Sequence, residues 1–200
     1  MTENQDITDF SIVDQTEDPN FFRRFLDRGN ALPAIQQSKS MMLAALALQP
    51  GQRVLDLGCG LGDDVFTMAE RVGTRGHVIG IDISEAMIEE ARRRTPFGTP
   101  VEFHVGDTRK LEFPTGHFDA VRAERLLMHV PEATAALGEM VRVTRRGGCL
   151  CVFDFFSTGI ASLLTAPPRR SRVGSCSRSL IGSKTAGLAG NCPGCSANAG

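Results

Sequence analysis

The sequence predicts an α/β domain built on a doubly wound parallel sheet, and three observations predict it. Between residues 51 and 156, short apolar runs alternate with segments of helical period, the pattern of parallel strands linked by covering helices. A glycine loop, Gly58-Cys59-Gly60-Leu61-Gly62, leads from the first of these strands into a helix. An acidic residue, Asp82, closes the second strand. Right-handed crossovers place a ligand beyond the carboxyl ends of the strands, where the winding reverses.

The elements follow in order. Residues 1–18 are acidic and polar and are expected to be mobile. Asp18-Pro19-Asn20 is a helix-start signal, followed by Phe21, Phe22, Phe25 and Leu26 at helical spacing. A second helix, rich in Ala, Leu and Met, runs from Ile35 to Leu48 and stops at Gln49-Pro50-Gly51. Together, residues 19–50 form a helical lid. Arg53 to Leu57 reads as a buried strand, and a helix spans Asp63 to Val72. His77 to Ile81 is the second strand. Ser84 caps a helix ending at Arg94, and Val101 to Val105 is the third strand. Phe118 to Arg122 is the fourth strand, Pro131 to Val143 a helix with proline at its start, and Cys149 to Phe155 the fifth strand.

Composition narrows the function. The 200 residues carry 22 basic and 23 acidic side chains, so no basic face is available to displace counterions from a nucleic acid. No apolar run is long enough to span a bilayer, and the acidic start is unlike a secretory signal. The six cysteines are expected to be thiols in a cytoplasmic protein. The expected partner is a small molecule, with no nucleic acid and no membrane, and the sequence leaves the oligomeric state open. Residues 157–200 have no acid and no apolar period beyond Leu164, and read as a low-complexity, disordered tail. A basic arm for a partner and a shift of reading frame near residue 155 are the other readings of that stretch. Cys192-Pro193-Gly194-Cys195 has the spacing of half a zinc knuckle, but with no second pair no metal site is expected.

The glycine loop carries the chemistry. Gly58, Gly60 and Gly62 permit close approach of a ligand, and Asp82 occupies the place from which a carboxylate accepts from ribose hydroxyls. A sharp strand-to-helix turn is the structural alternative. A dinucleotide loop would set its pyrophosphate on the helix start, but Asp63 and Asp64 stand there and repel phosphate. Asp56, Asp63 and Asp64 suit a ligand with positive charge, such as an ammonium or a sulfonium. That favours S-adenosylmethionine over NAD.

The segment Val54 to Gly62 resembles the first motif of the class I S-adenosylmethionine-dependent methyltransferases. Gly80 to Met87 resembles that family's ribose-binding segment, Val105 to Thr108 its adenine-edge segment, Phe118 to Val121 its fourth strand, and Arg145 to Gly148 the turn before its fifth. Glu124 to Pro131 is similar to the small-molecule branch. The resemblance implies a Rossmann-like sheet of strand order 3-2-1-4-5. It implies that Asp56, Gly58 and Gly60 hold the methionine moiety, with Gly62 completing the loop. Asp82 would take the ribose, Ile83 and Met87 would pack on adenine, and Asp107 would accept from its amino group. Asp107 as a plain turn residue is the alternative.

Methyl transfer from a sulfonium needs mainly alignment of nucleophile and methyl carbon. An acceptor hydroxyl or carbon must also lose a proton, for which His129 is the candidate base, with a capping or packing residue as the alternative. Glu124 and Arg125 orient substrate or form a surface ion pair. The Phe21, Phe22, Phe25 stripe and Met41-Met42 either line an apolar acceptor pocket or are core. The family's sixth and seventh strands are expected to be missing after Phe156, leaving the fifth strand uncovered, poor solubility and weak cofactor binding. A protein that binds cofactor without turnover is the rival reading, and an NAD dehydrogenase a third.

Overall fold

The computed structural model describes residues 10–15, 18–155, 161–166 and 179–180. Its sheet runs β3-β2-β1-β4-β5-β6-β7. The strands are β1 (Arg53–Leu57), β2 (His77–Asp82), β3 (Val101–Val105), β4 (Phe118–Glu124), β5 (Thr144–Phe155), β6 (Ala161–Ala166) and β7 (Ser179–Leu180). The first five are parallel in the expected order 3-2-1-4-5. The helices are α1 (Pro19–Asn30), α2 (Pro33–Leu46), α3 (Asp63–Val72), α4 (Glu85–Arg94) and α5 (Ala133–Val143).

β1 and β4 are buried almost end to end, as central parallel strands must be when helices cover both faces. One core cluster gathers Met42 and Leu46 of α2, Val65 and Met68 of α3 and Ile88 of α4. On the other face Leu55, Leu57, Ile79 and Phe118 pack with Met140 and Val143 of α5. A third, small cluster joins Val13, Phe22, Leu61 and Met87 above the strand ends.

Local signals account for the helix starts. Asp18 accepts from the Asn20 amide at 3.0 Å at the head of α1, and the Ser84 hydroxyl accepts from the Met87 amide at 3.2 Å at the head of α4. Gly62 precedes α3 with φ +84°, and a Cβ there would lie 2.7 Å from Phe103 Cζ and 3.3 Å from Ala91 Cβ. A left-handed backbone and a filled site thus both demand glycine. Gly62→Ala is expected to lower stability by about 2–4 kcal/mol, from backbone strain plus overpacking, read as a fall in urea midpoint with unchanged slope.

Several expectations need correction. The expected loss of the sixth and seventh strands does not hold: β6 pairs antiparallel with β5 from Leu150↔Ala166 to Phe155↔Ala161, and β7 pairs antiparallel with β6. β5 is therefore an interior strand, and the sheet ends on β3 and β7. The N-terminal stretch expected to be mobile contains a 3-10 helix, Phe10–Gln15. The turn at Arg145 to Gly148 is a bulge within β5, where the register shifts between Phe118 and Ala120. Pro131 lies before α5, which starts at Ala133 and follows a 3-10 turn, Leu127–His129. The rest of the tail, including Cys192 and Cys195, lies outside the described residues.

Candidate active site

A cavity of about 420 Å³ opens at the carboxyl ends of β1, β2 and β4, within the range of small-molecule sites. Gly58, Gly60, Asp82, Ile83, Met87 and Asp107 form one side of it. Glu124, Arg125 and His129 form another, with Leu126, Met128 and Val130 beside them. Phe10, Val13, Phe25 and Leu26 close it from the N-terminal segment. Nine of the eleven residues expected at the site are thus brought together around one space.

Asp82 does two jobs at once. Its Oδ2 accepts from the Gly60 amide at 2.9 Å and its Oδ1 from the Ser84 amide at 3.0 Å, so it braces the glycine loop while facing the cavity. Burial pushes its carboxyl above the ordinary range, and the Ser84, Gly60 and Ile83 amides pull the other way. Asp107 is clasped by Arg109, whose Nη2 lies 2.7 Å from Oδ2, and this holds its carboxyl below the ordinary range. Arg109 also donates to Glu132 at 2.9 Å, tying the loop after β3 to the approach to α5.

Asp56 and Gly62 are the two expected residues that do not line the cavity. Gly62 packs against Phe103. Asp56 sits beside Arg122 in the register of β1 and β4 and accepts from Arg122 Nη1 at 2.8 Å. Burial pushes the Asp56 carboxyl up to about 6 against the pull of Arg122, and the Asp64 charge adds to the rise.

Arg122 and Lys39, which sequence reasoning missed, organise a buried ionic network behind the loop. Arg122 Nη2 donates to Asp64 at 2.9 Å and also to Glu124 Oε2. Lys39, on α2, donates to Asp64 Oδ2 and, at 3.1 Å, to Glu124 Oε2. The available signal was a charge set between apolar residues inside each of two strands, Asp56 in Val54 to Leu57 and Arg122 in Ala120 to Ala123, since a buried charge demands a partner. Asp56 Oδ2 and Glu124 Oε1 are buried and accept no hydrogen bond. Of these two residues only Glu124 lines the cavity, and its spare acidic oxygen beside the loop suits a ligand carrying an ammonium or sulfonium, which is the observation that fits S-adenosylmethionine to these residues.

Arg125 adopts φ +53°, a left-handed conformation unusual for a side-chain-bearing residue. Its amide donates to the Phe153 carbonyl at 2.7 Å, which pins the turn at the cavity wall. Strain of this kind persists where the surrounding structure over-determines it. His129 packs its ring against Phe10 with centroids 5.4 Å apart. The 3-10 helix bearing Phe10 is itself anchored, because Asp14 accepts from Ser84 Oγ at 2.6 Å and from the Glu85 amide at 2.7 Å.

The matching family model, described as a methyltransferase domain, covers residues 48–169, more than half of the chain. The chain belongs to the methyltransferase domain family. Among curated relatives of this methyltransferase domain, an uncharacterized 37.1 kDa protein in transposon TN4556 of Streptomyces fradiae is 45% identical over 63% of the chain and 36% of its own length. A demethylmenaquinone methyltransferase of Beutenbergia cavernae is 42% identical over 56% of the chain and 45% of its own length. An S-adenosylmethionine-dependent methyltransferase of Mesorhizobium loti superposes with a TM-score of 0.53 and 27% identity, over 58% of the chain and 52% of that structure. The chain spans about a third to a half of the length of these curated relatives. Among the described residues, no helix is long and apolar enough to cross a membrane, and no group of three or more His, Cys, Asp or Glu side chains is placed to hold a metal ion.

Proposed function

We propose that this protein is an S-adenosylmethionine-dependent methyltransferase acting on a small, largely apolar acceptor in the cytoplasm. The observation that carries the reading is the cavity in which Asp82, Gly58 and Gly60 face the apolar wall of Phe10, Phe25, Leu126 and Met128. When bound, the cofactor supplies an electrophilic methyl group on a sulfonium. Asp82 accepts from the ribose hydroxyls, Ile83 and Met87 cover the adenine, and Asp107 accepts from its amino group. Asp56 acts from behind the loop by holding Arg122, and Gly62 by setting the start of α3. His129 takes the acceptor's proton, while Glu124 and Arg125 orient the ligands. Phe10 and Phe25 in the cavity wall and the similarity to a demethylmenaquinone methyltransferase support phenols and quinols as the first acceptors to try. Free Cys59, Cys149 and Cys151 fit a reducing compartment.

Calorimetry with S-adenosylhomocysteine, NAD and buffer is the test, followed by methyl transfer to a panel of phenols, quinols and acids. Micromolar binding of S-adenosylhomocysteine with no NAD binding is expected, with turnover on at least one apolar acceptor. Binding without turnover on any acceptor favours the inactive reading. NAD binding in its place overturns the cofactor assignment.

A further inference from the structure

The N-terminal helices do more than cover the cavity with apolar side chains. Asn30, at the end of α1, donates to Asp63 Oδ2 at 2.9 Å and accepts from Arg125 Nη2 at 3.3 Å. Lys39, on α2, bridges Asp64 and Glu124. Two consecutive residues that open α3 and two consecutive residues at the end of β4 are therefore joined pairwise by the helical pair. All six residues line a small polar annex of about 50 Å³ beside the glycine loop, which shares Gly58, Gly60, Glu124 and Arg125 with the main cavity.

Within the annex, Glu124 is singled out. Its side chain is 3% exposed, and Oε2 is taken by both Lys39 and Arg122. Oε1 accepts no hydrogen bond and has Arg125 Nε at 3.4 Å. A buried carboxylate held by two cations at one oxygen cannot rotate freely, so the other oxygen is fixed in place. Packing alone gives no reason for Lys39: it is 7% exposed on a helix whose other buried residues are Ser38, Met42, Leu43 and Leu46, and an apolar residue there would avoid the cost of desolvating an ammonium.

We propose that Lys39 is a positioning residue that holds Glu124 with Oε1 presented to the annex, where it receives the ammonium of an amino-acid-bearing nucleoside. The inference rests on the cofactor reading above and adds the residue that aligns the ligand's amino-acid end. Without Lys39, Asp64 and Glu124 lose a shared buried cation, and the freed Glu124 carboxylate turns toward water, which withdraws Oε1 from the ligand. The adenosine half of the site, built by Asp82, Ile83 and Met87, does not touch Lys39 and is left intact.

The experiment titrates S-adenosylhomocysteine and 5′-methylthioadenosine, which lacks the amino-acid end, into wild type, Lys39→Met, Lys39→Arg, Glu124→Gln and the Lys39→Met/Glu124→Gln double variant. Lys39→Met and Glu124→Gln are each expected to weaken S-adenosylhomocysteine about tenfold. The double variant should be no weaker than the weaker single one, because both changes disable the same contact between Glu124 and the ligand. Lys39→Arg should recover at least half of the loss, and 5′-methylthioadenosine should bind all folded variants within twofold of wild type. Additive losses, equal loss of both ligands, or tighter S-adenosylhomocysteine binding by Lys39→Met overturn the proposal. If Lys39→Met does not fold, Lys39→Arg with Glu124→Gln decides it by the same comparison. Wild type that binds neither ligand overturns the cofactor reading itself and the inference with it.

Discussion

Arg122→Met should cost about 3–5 kcal/mol of stability, the loss expected when one partner of a buried ionic cluster is removed. Arg122 is 2% exposed and serves Asp56, Asp64 and Glu124 together, so its loss leaves three carboxylates with Lys39 and, at Glu124 Oε1, Arg125 as the nearby cations. The effect also has a pH sign. Burial already raises the Asp56 carboxyl from 3.8 to about 6 with Arg122 in place, so the folded state holds that proton more tightly than the unfolded chain. Folding is therefore favoured as pH falls from above 6 toward 3.8, and the penalty for an ionised Asp56 is complete above that window. Without the guanidinium this penalty grows. The destabilisation of Arg122→Met, measured as a urea midpoint, should be larger at pH 8 than at pH 5.5. A loss below about 1 kcal/mol at pH 8 would show that the cluster does not depend on Arg122.

The second large effect concerns affinity. Asp82→Ala is expected to weaken S-adenosylhomocysteine at least a hundredfold, about 2.7 kcal/mol. One substitution removes both the cavity-facing carboxylate and the acceptor for the Gly60 and Ser84 amides, so the ligand loses a partner while the loop loses its brace. Asp119→Ala is the matched control. It removes an acidic residue near the opposite end of the sheet, where Asp119 accepts from the Arg53 amide at 2.7 Å and from Arg145 Nε at 2.6 Å. Calorimetry should show control affinity within twofold of wild type. An Asp82→Ala protein that binds as well as the control would remove Asp82 from the site.

Much of the fold was legible because its signals are local. The apolar run of Arg53 to Leu57, the glycine turn, the Ser84 cap and the start of α1 at Asp18-Pro19 each depend on residues a few positions apart. The cavity wall was legible for a related reason: in a parallel sheet the strand ends line up, so Gly58, Asp82 and Glu124 must meet once the strand order is known. Asp56 was harder to place. A carboxylate two residues before a glycine loop reads as a ligand contact, whereas its neighbour in the sheet, Arg122, turns it inward. Asp14 gave no sign in an acidic stretch that it anchors the head of α4, because its partners lie about seventy residues away in sequence.

By itself the sequence determined the alternation of strands and helices, the glycine loop and the acidic residue that closes the second strand, all set by short-range periodicity and backbone preference. Only the tertiary structure decided which charges are neutralised inside and which remain for a ligand. Lys39, Asp56, Asp64, Arg122 and Glu124 come from four separate elements, and the pairing of buried charges depends on distance in space across the sheet, which no spacing along the chain encodes.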